Sequence, residues 1–383
     1  MTPAYDTRYP SIDDLRNRAR KRIPSFAFEY LDGGCNEEIN LFRNTDDIRK
    51  IELAPRYLSN YQGANLSTEL FGTTYDAPFG VAPMGLQGML WPRSCEILAK
   101  TSVYHNVPFI LSTMTTASIE TIAKLTGGKA WFQLYHPAED KLRNDILSRL
   151  EVNGYQVLVL LCDVPSFGFR PKDIRNGLSM PPRMTLKNIL QMLAHPRWAM
   201  ASLGAGTPQF ASMKPYMPAG MGMKTLGEYM NQTFSGRMGE SRIAQIRDRW
   251  KGKMVLKGVA SGADADTALR LGLDGIIVSN HGGRQIDVGE SAVHSLQTLA
   301  PRYKGKMRVM MDSGIRSGPD IARTLAAGAD FTFLGRTFMY SVAAMGSQGG
   351  NHGMGLLKTQ LKQVLEQLGV ERPTGLADCL IPS

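Results

Sequence analysis

Gly275-Ile276-Ile277-Val278-Ser279-Asn280-His281-Gly282-Gly283-Arg284-Gln285-Ile286-Asp287 carries both a fold signal and a chemical one. The β-branched run 275–278 has the character of a parallel strand buried on both faces. It stops at a polar cluster with a histidine, two glycines and an arginine. Glycines let the backbone turn sharply and let a ligand approach closely. His281 supplies an acid/base group near neutral pH. Arg284 supplies a permanent cation whose planar fork suits a carboxylate. A base and an anion clamp at one strand end point to proton abstraction from a bound carboxylic acid.

The same layout recurs along the chain. Apolar runs cover 79–83, 108–112, 130–135, 157–163, 254–257, 275–279, 308–312 and 331–335. Helical patterns lie between most of them, for example at 118–125, 138–153, 263–271, 318–327 and 351–368. Eight alternating units predict an α/β fold, a (β/α)8 TIM barrel. In such barrels the active site lies at the carboxyl ends of the strands. Those ends carry Ser112, Gln133, Tyr135, Asp163, Arg170, Lys257, His281, Arg284, Asp312 and Arg336.

The chain has 383 residues, 43% hydrophobic and 20% charged, which suits one large domain, 1–383. A barrel takes roughly 250 residues. The surplus falls in an N-terminal cap, 1–74, and in a long loop or lid excursion after the fourth strand, 177–250. No run is long enough to span a bilayer. The polar, acid-containing residues 1–20 do not read as a signal peptide. Cys35, Cys95, Cys162 and Cys379 are scattered without zinc-ligand spacing, as are the six histidines. No metal is expected, and the thiols suit a reducing cytoplasmic compartment.

The net charge of +10 admits a nucleic acid or an anionic membrane as partner. No nucleic-acid-binding motif accompanies it, and none is expected to bind. The excursion is more specific. It mixes Lys187, Arg197, Lys214, Lys224 and Arg237 with Met184, Met192, Trp198, Met200, Phe210, Met213, Tyr216, Met217, Met221, Met223, Met230 and Phe234. Such a mixture can mark a membrane-facing surface. Pro208, Pro215 and Pro218 interrupt any long amphipathic helix, which favours an active-site lid or subunit contact instead.

No GxGxxG motif opens a βαβ unit, so a Rossmann dinucleotide site is not expected. The last two strands end instead in Asp312-Ser313-Gly314-Ile315-Arg316 and Gly335-Arg336. Barrel phosphate sites form after strands seven and eight, from turn N–H groups and a cation. Lys257 adds a cation at the barrel mouth, suited to negative charge on a reduced flavin ring.

These motifs resemble the FMN-dependent L-2-hydroxy acid dehydrogenases and oxidases, which include glycolate oxidase, lactate dehydrogenases and mandelate dehydrogenase. The resemblance spans nearly the whole chain. Its most specific piece is Ser279-Asn280-His281-Gly282-Gly283-Arg284-Gln285. Gln133-Leu134-Tyr135, Val255-Leu256-Lys257-Gly258, Asp312 to Arg316 and Leu334-Gly335-Arg336 support it. The stretch from Pro24 to Gly34 matches the family's cap helix.

The resemblance implies an FMN enzyme that oxidises an L-2-hydroxy acid to the 2-oxo acid. His281 is the implied base, steadied by Asp163 once protonated. Arg284, Tyr30 and Arg170 bind the substrate carboxylate, and Tyr135 touches the substrate hydroxyl. Lys257 lies by flavin N1. Ser112, Gln133 and Ser279 bond the ring, with Pro83, Met84 and Gly85 beside it. Asp312 binds the ribityl chain, Gly314, Arg316, Gly335 and Arg336 surround the phosphate, and Ser313 is a further cofactor-binding residue. A homotetramer is implied too. Leu90-Trp91-Pro92 and His195-Pro196-Arg197-Trp198 look most like mandelate dehydrogenase and bacterial lactate dehydrogenase, which touch membranes through this excursion. Peripheral contact with the inner membrane face therefore stays open, as does an electron acceptor among oxygen, a quinone and a protein carrier.

Several positions depart from the family pattern. Leu161 replaces a usual threonine, Pro171 a usual glutamate, and Met84 a usual small residue. Met114 and Gly85 stand where glycolate oxidase has an aromatic and an alanine. Both changes point to a substrate side chain larger than that of glycolate. The alternatives are an FMN barrel of another reaction class, such as an isomerase, or a family member that has lost catalysis. The intact pair His281 and Arg284 favours hydroxy acid oxidation.

Overall fold

The computed structural model describes residues 7–58, 60–178, 183–206, 208–218, 229, 232–234 and 237–381. The chain begins with a cap of three helices, α1 (Ile12–Arg22), α2 (Ser25–Asp32) and α3 (Ile39–Arg49). Helix α1 starts at a capping box: the Ser11 hydroxyl accepts from the Asp14 N–H, and the Asp14 carboxylate accepts from the Ser11 N–H. Acids in its first turn and bases in its last oppose the helix dipole. Arg16 then clamps Asp32 at the end of α2 with two bonds of 2.7 Å.

A hairpin follows, β1 (Thr68–Leu70) and β2 (Thr73–Tyr75). The sequence gives no clear sign of it, and β2 runs across the expected cap boundary at 74. Leu70 and Tyr75 enter the cluster that fills the barrel. Phe71 packs on Trp131 and Tyr75 on Phe331, both first residues of their strands. The hairpin thus plugs the amino end of the barrel.

The barrel strands are β3 (Phe79–Val81), β4 (Ile110–Ser112), β5 (Trp131–Leu134), β6 (Val157–Leu161), β7 (Lys253–Val259), β8 (Gly275–Val278), β9 (Arg308–Met311) and β10 (Phe331–Leu334). All pairings are parallel, in the order β3-β10-β9-β8-β7-β6-β5-β4. A Val81–Phe109 bridge joins the ends, with the Val81 N–H donating to the Pro108 carbonyl. The (β/α)8 TIM barrel predicted from the sequence is therefore the observed fold.

Strand periodicity explains where the site lies. Ile110, Trp131, Val157, Val159, Val255, Ile277 and Met310 point inward and pack together. Leu158, Leu160, Met254, Leu256, Ile276 and Val278 point outward into the core shared with the helices. Residues two apart share a face. Two places beyond Ile110, Trp131, Val255, Ile277 and Met310 come Ser112, Gln133, Lys257, Ser279 and Asp312. An apolar layer thus supports a polar layer on the carboxyl side.

Helix limits fall close to the expected ones. The helix expected at 138 begins at Asp140, after Glu139 in extended conformation, and the Ala138 N–H bonds the Thr233 carbonyl in the excursion. Strand β7 outruns its expected end at 257, through a bulge at Gly258. Gly258 has φ +99°, and a Cβ there would lie 2.5 Å from Asp163 Cβ, so both backbone and space call for glycine.

The excursion divides. Trp198, Phe210 and Met213 are core residues, so these are not part of a membrane-facing surface. The Trp198 indole N–H bonds the Leu90 carbonyl, and its ring meets Phe26 edge-on. Two short helices, Leu186–Ala194 and Pro196–Ala205, form ahead of Pro208, with Pro196 at a first-turn position that tolerates it. Met221, Met223, Lys224 and Met230 lie outside the described residues.

Candidate active site

The carboxyl ends of the strands open into a cavity of about 620 Å³. Its wall holds Tyr30 from α2, Ser112, Gln133 and Tyr135 from the β4 and β5 ends, and Lys257 from β7. His281, Arg284, Asp312, Arg316 and Arg336 complete its polar side.

His281 sits just past β8 with φ +60°, a conformation few non-glycine residues adopt. Three bonds hold the turn there. The Ser279 hydroxyl accepts from the His281 N–H, Ser313 Oγ from the Gly282 N–H, and Asn280 Oδ1 from the Gly283 N–H. A Cβ on Gly283, itself at φ +72°, would come 2.6 Å from the Leu41 backbone of α3. Asn280 is buried and bonds Asn40 and Asn44 of that helix. The cap and the histidine turn are therefore one packed unit.

The Nδ1 of His281 faces both carboxylate oxygens of Asp163 at 3.2 Å. Burial disfavours the imidazolium and Asp163 favours it, and burial prevails, so His281 titrates below its ordinary value. Burial also opposes the Asp163 charge, but His281 and Lys257 outweigh it and keep Asp163 ionised. Lys257 is almost wholly buried, pairs with Asp312 at 3.0 Å and donates to Ser279 Oγ at 2.9 Å. Burial works against its charge too, yet Asp312 and Asp163 raise it above the usual lysine range.

The arginines use the open end of α2. A helix leaves its last carbonyls without internal partners. Arg284 donates to the Tyr30 and Gly33 carbonyls at 2.6 and 3.1 Å, and lies over the Tyr30 ring. Arg336 donates to the carbonyls of Leu31, Gly33 and Gly282. Arg170 reaches the Arg284 carbonyl and Gln285 Oε1. Burial, with neighbouring Arg284 and Arg316, pushes Arg336 down to about 9.

That crowding of cations fits a phosphate. Among the described residues neither Arg316 nor Arg336 makes an ion pair with a carboxylate. The helix Arg336–Met345 begins at Gly335 with no side-chain cap, leaving its first N–H groups to an anion. The buried ammonium of Lys257 lies elsewhere in the same wall, as a flavin ring that gains negative charge requires.

The residues expected from the sequence come together around one cavity. Pro83, Met84, Gly85, Ser112, Gln133, Tyr135, Arg170, Lys257, His281, Arg284 and Asp312 to Arg316 line the cavity, as do Tyr30, Gly335 and Arg336. Asp163 stands behind His281. Ser279 Oγ accepts from Lys257 and from the His281 N–H, and neither bond uses its O–H as a donor. The sequence reading missed Asp173, Gln285 and Phe210. Gln285 ties the β6 loop to the signature, accepting from Gly168 and Arg170 and donating to the carbonyls of Asp163 and Ser166. Its place in the signature was the available clue. Asp173 had one too, three residues after Arg170 in a first helical turn; Phe210 had none.

Known proteins resemble this chain in sequence and fold. An L-lactate dehydrogenase of Xanthomonas euvesicatoria pv. vesicatoria is 37% identical over 360 residues, 94% of this chain and 92% of that one. The monotopic membrane protein (S)-mandelate dehydrogenase superposes with a TM-score of 0.92 at 32% identity, covering 98% of this chain and 100% of that one. Mandelate oxidase superposes at 0.82 with 28% identity, covering 97% and 98%. The family model of FMN-dependent dehydrogenases matches residues 19–381. The chain therefore belongs to the FMN-dependent dehydrogenases that oxidise 2-hydroxy acids, and FMN is its cofactor.

Proposed function

We propose that this enzyme oxidises an L-2-hydroxy acid larger than glycolate, with His281 as the base and Arg284 and Arg170 as the carboxylate clamp. One observation carries the reading: a neutral-leaning imidazole, backed by an ionised carboxylate, shares a cavity wall with two arginines. Asp163 bonds Nδ1 and leaves Nε2 to take a proton from the substrate. It then stabilises the imidazolium that forms. Tyr135 stays a neutral donor, because burial, then Asp163, raises its phenol well above the usual range. It can bond the substrate oxygen without surrendering its own proton. FMN, when bound, supplies the two-electron acceptor for C2 of the substrate. Lys257 holds a fixed positive charge in the same wall, and Arg316 and Arg336 hold the phosphate.

Leu90, Met114, Leu178 and Phe210 give the cavity an apolar side that a hydroxymethyl group does not need. It suits an aromatic or long aliphatic side chain. The test is anaerobic mixing of the yellow holoenzyme with glycolate, L-lactate, longer L-2-hydroxy acids and L-mandelate, following flavin bleaching. Bleaching by none of them overturns the reaction; a clear preference for glycolate overturns the size assignment. Admitting oxygen or a quinone afterwards identifies the acceptor.

Peripheral membrane binding is part of the same proposal. On the helix Leu186–Ala194, the exposed Leu186, Ile189, Leu190 and Leu193 fall at helical spacing on one face. Met200 and Leu203 extend the apolar surface on the next helix. Arg183, Lys187 and Arg197 are exposed nearby in sequence and suit anionic headgroups. No helix among the described residues is long and apolar enough to cross a membrane. The monotopic character of the (S)-mandelate dehydrogenase relative supports a one-sided attachment.

A further inference from the structure

Asp173 lies in the first turn of the short helix Pro171–Arg175, buried in the cavity wall. Its Oδ2 is 3.5 Å from Arg170 and 3.8 Å from Arg284. Charge-assisted bonds normally close to about 2.7–2.9 Å, so Asp173 pairs with both arginines and saturates neither. Each arginine is pinned elsewhere. Arg284 holds the Tyr30 and Gly33 carbonyls through Nη1, and its Nη2 is the atom nearest Asp173. Arg170 holds the Arg284 carbonyl and Gln285 through Nε and Nη2, and its Nη1 is nearest Asp173. The arms left over thus converge on one resident carboxylate.

We propose that Asp173 is the internal counter-ion of the carboxylate clamp, a positioning residue that keeps Arg170 and Arg284 side by side before substrate arrives and competes with the substrate carboxylate for their free arms. This rests on the assignment of those arginines to the substrate carboxylate. Two like charges held together in a poorly hydrated wall repel each other. Arg284 shows this, being depressed by burial and by Arg170. A loosely placed anion relieves the repulsion yet holds the free arms weakly enough for a substrate carboxylate to displace it. Burial raises the Asp173 carboxyl above the usual range, with the two arginines opposing, which matches an incompletely satisfied anion.

The competition gives a signature unlike that of a structural residue. In Asp173→Asn holoenzyme, oxalate should bind roughly three- to tenfold more tightly than to wild type, read from perturbation of the flavin spectrum. The KM for a good hydroxy acid should fall in the same direction, because its carboxylate meets the same freed arms. Asp173→Glu, which keeps the charge, should hold oxalate within about twofold of wild type. Asp173→Ser repeats the charge removal with a smaller side chain, in case the amide variant loses FMN. Weaker or unchanged oxalate binding in the charge-removed variants, or equal tightening in Asp173→Glu, overturns the assignment. If wild-type flavin is reduced by hydroxy acids and the oxalate result fails, only the role of Asp173 falls. If no hydroxy acid reduces the wild-type flavin, the function proposed for the site falls first.

Discussion

Asp163 presents both carboxylate oxygens to the Nδ1 of His281 at 3.2 Å. The pairing fixes which ring nitrogen stays available and keeps a negative charge where an imidazolium would form. Gly258 makes room for it, since any side chain at that bulge would meet Asp163. The proposed base is thus tied to a strand irregularity between β7 and β8.

His281→Ala should stay folded and yellow, but lose roughly 10²–10⁴ in the rate of flavin reduction, the usual size of a general-base contribution. Stopped-flow absorbance under anaerobic conditions measures it. Near wild-type reduction would contradict the assignment.

The pH profile should follow the depressed His281. The base must be neutral to act, so activity should be full above its folded value and fall as pH drops through it. That fall should come below the ordinary histidine value of about 6.5. In Asp163→Asn the charge favouring the imidazolium is gone. The acid limb should then move lower still, and the plateau rate should drop by about 1.5–3 kcal/mol, or roughly 10- to 100-fold. An acid limb that moves upward would refute the pairing.

Arg336→Ala should weaken FMN retention by about 1.5–3 kcal/mol, the worth of a charge-assisted bond. Fluorescence titration of apoprotein with FMN reads this directly. Riboflavin, which lacks the phosphate, should bind wild type and variant alike.

Gly85→Ala should discriminate by substrate size. The added methyl would lie 3.3 Å from Met114 Cβ and 3.4 Å from its carbonyl oxygen, so the wall must give. Overpacking of this kind costs typically about 1–3 kcal/mol. The loss in kcat/KM should be greatest for the bulkiest good substrate and small for L-lactate. A uniform loss across substrates would place the side chain elsewhere.

Leu190→Glu with Leu193→Glu should release the protein from anionic vesicles. Burying each leucine contributes about 1.5–3 kcal/mol, so the partition coefficient should fall by at least roughly tenfold. Flavin reduction in detergent-free buffer should be unchanged. Equal sedimentation of both proteins with vesicles would remove this face as the attachment surface.

The recurring apolar runs made the barrel legible in the sequence, because a strand buried on both faces needs continuous apolar side chains. The signature 279–285 exposed the base and clamp, because those residue types sit together in the chain. The cap hairpin was hidden: Leu70 and Tyr75 show their purpose only against Trp131 and Phe331, strand starts far along the sequence. Trp198 and Phe210 were ambiguous for the same reason, since a large apolar residue in the excursion looks alike whether it enters a core or faces lipid.

Local sequence determined the strand and helix order, the polar set at the strand ends and the choice of His281 as the proposed base, because periodicity and residue chemistry act over a few neighbouring positions. Only the tertiary structure decided that Ser279 turns inward, that the carbonyls at the end of α2 anchor Arg284 and Arg336, and that Asp173 meets both clamp arginines. Those relations depend on where a cap helix and a barrel loop meet in space, and closure of the eight strands brings them within hydrogen-bonding and ion-pair reach.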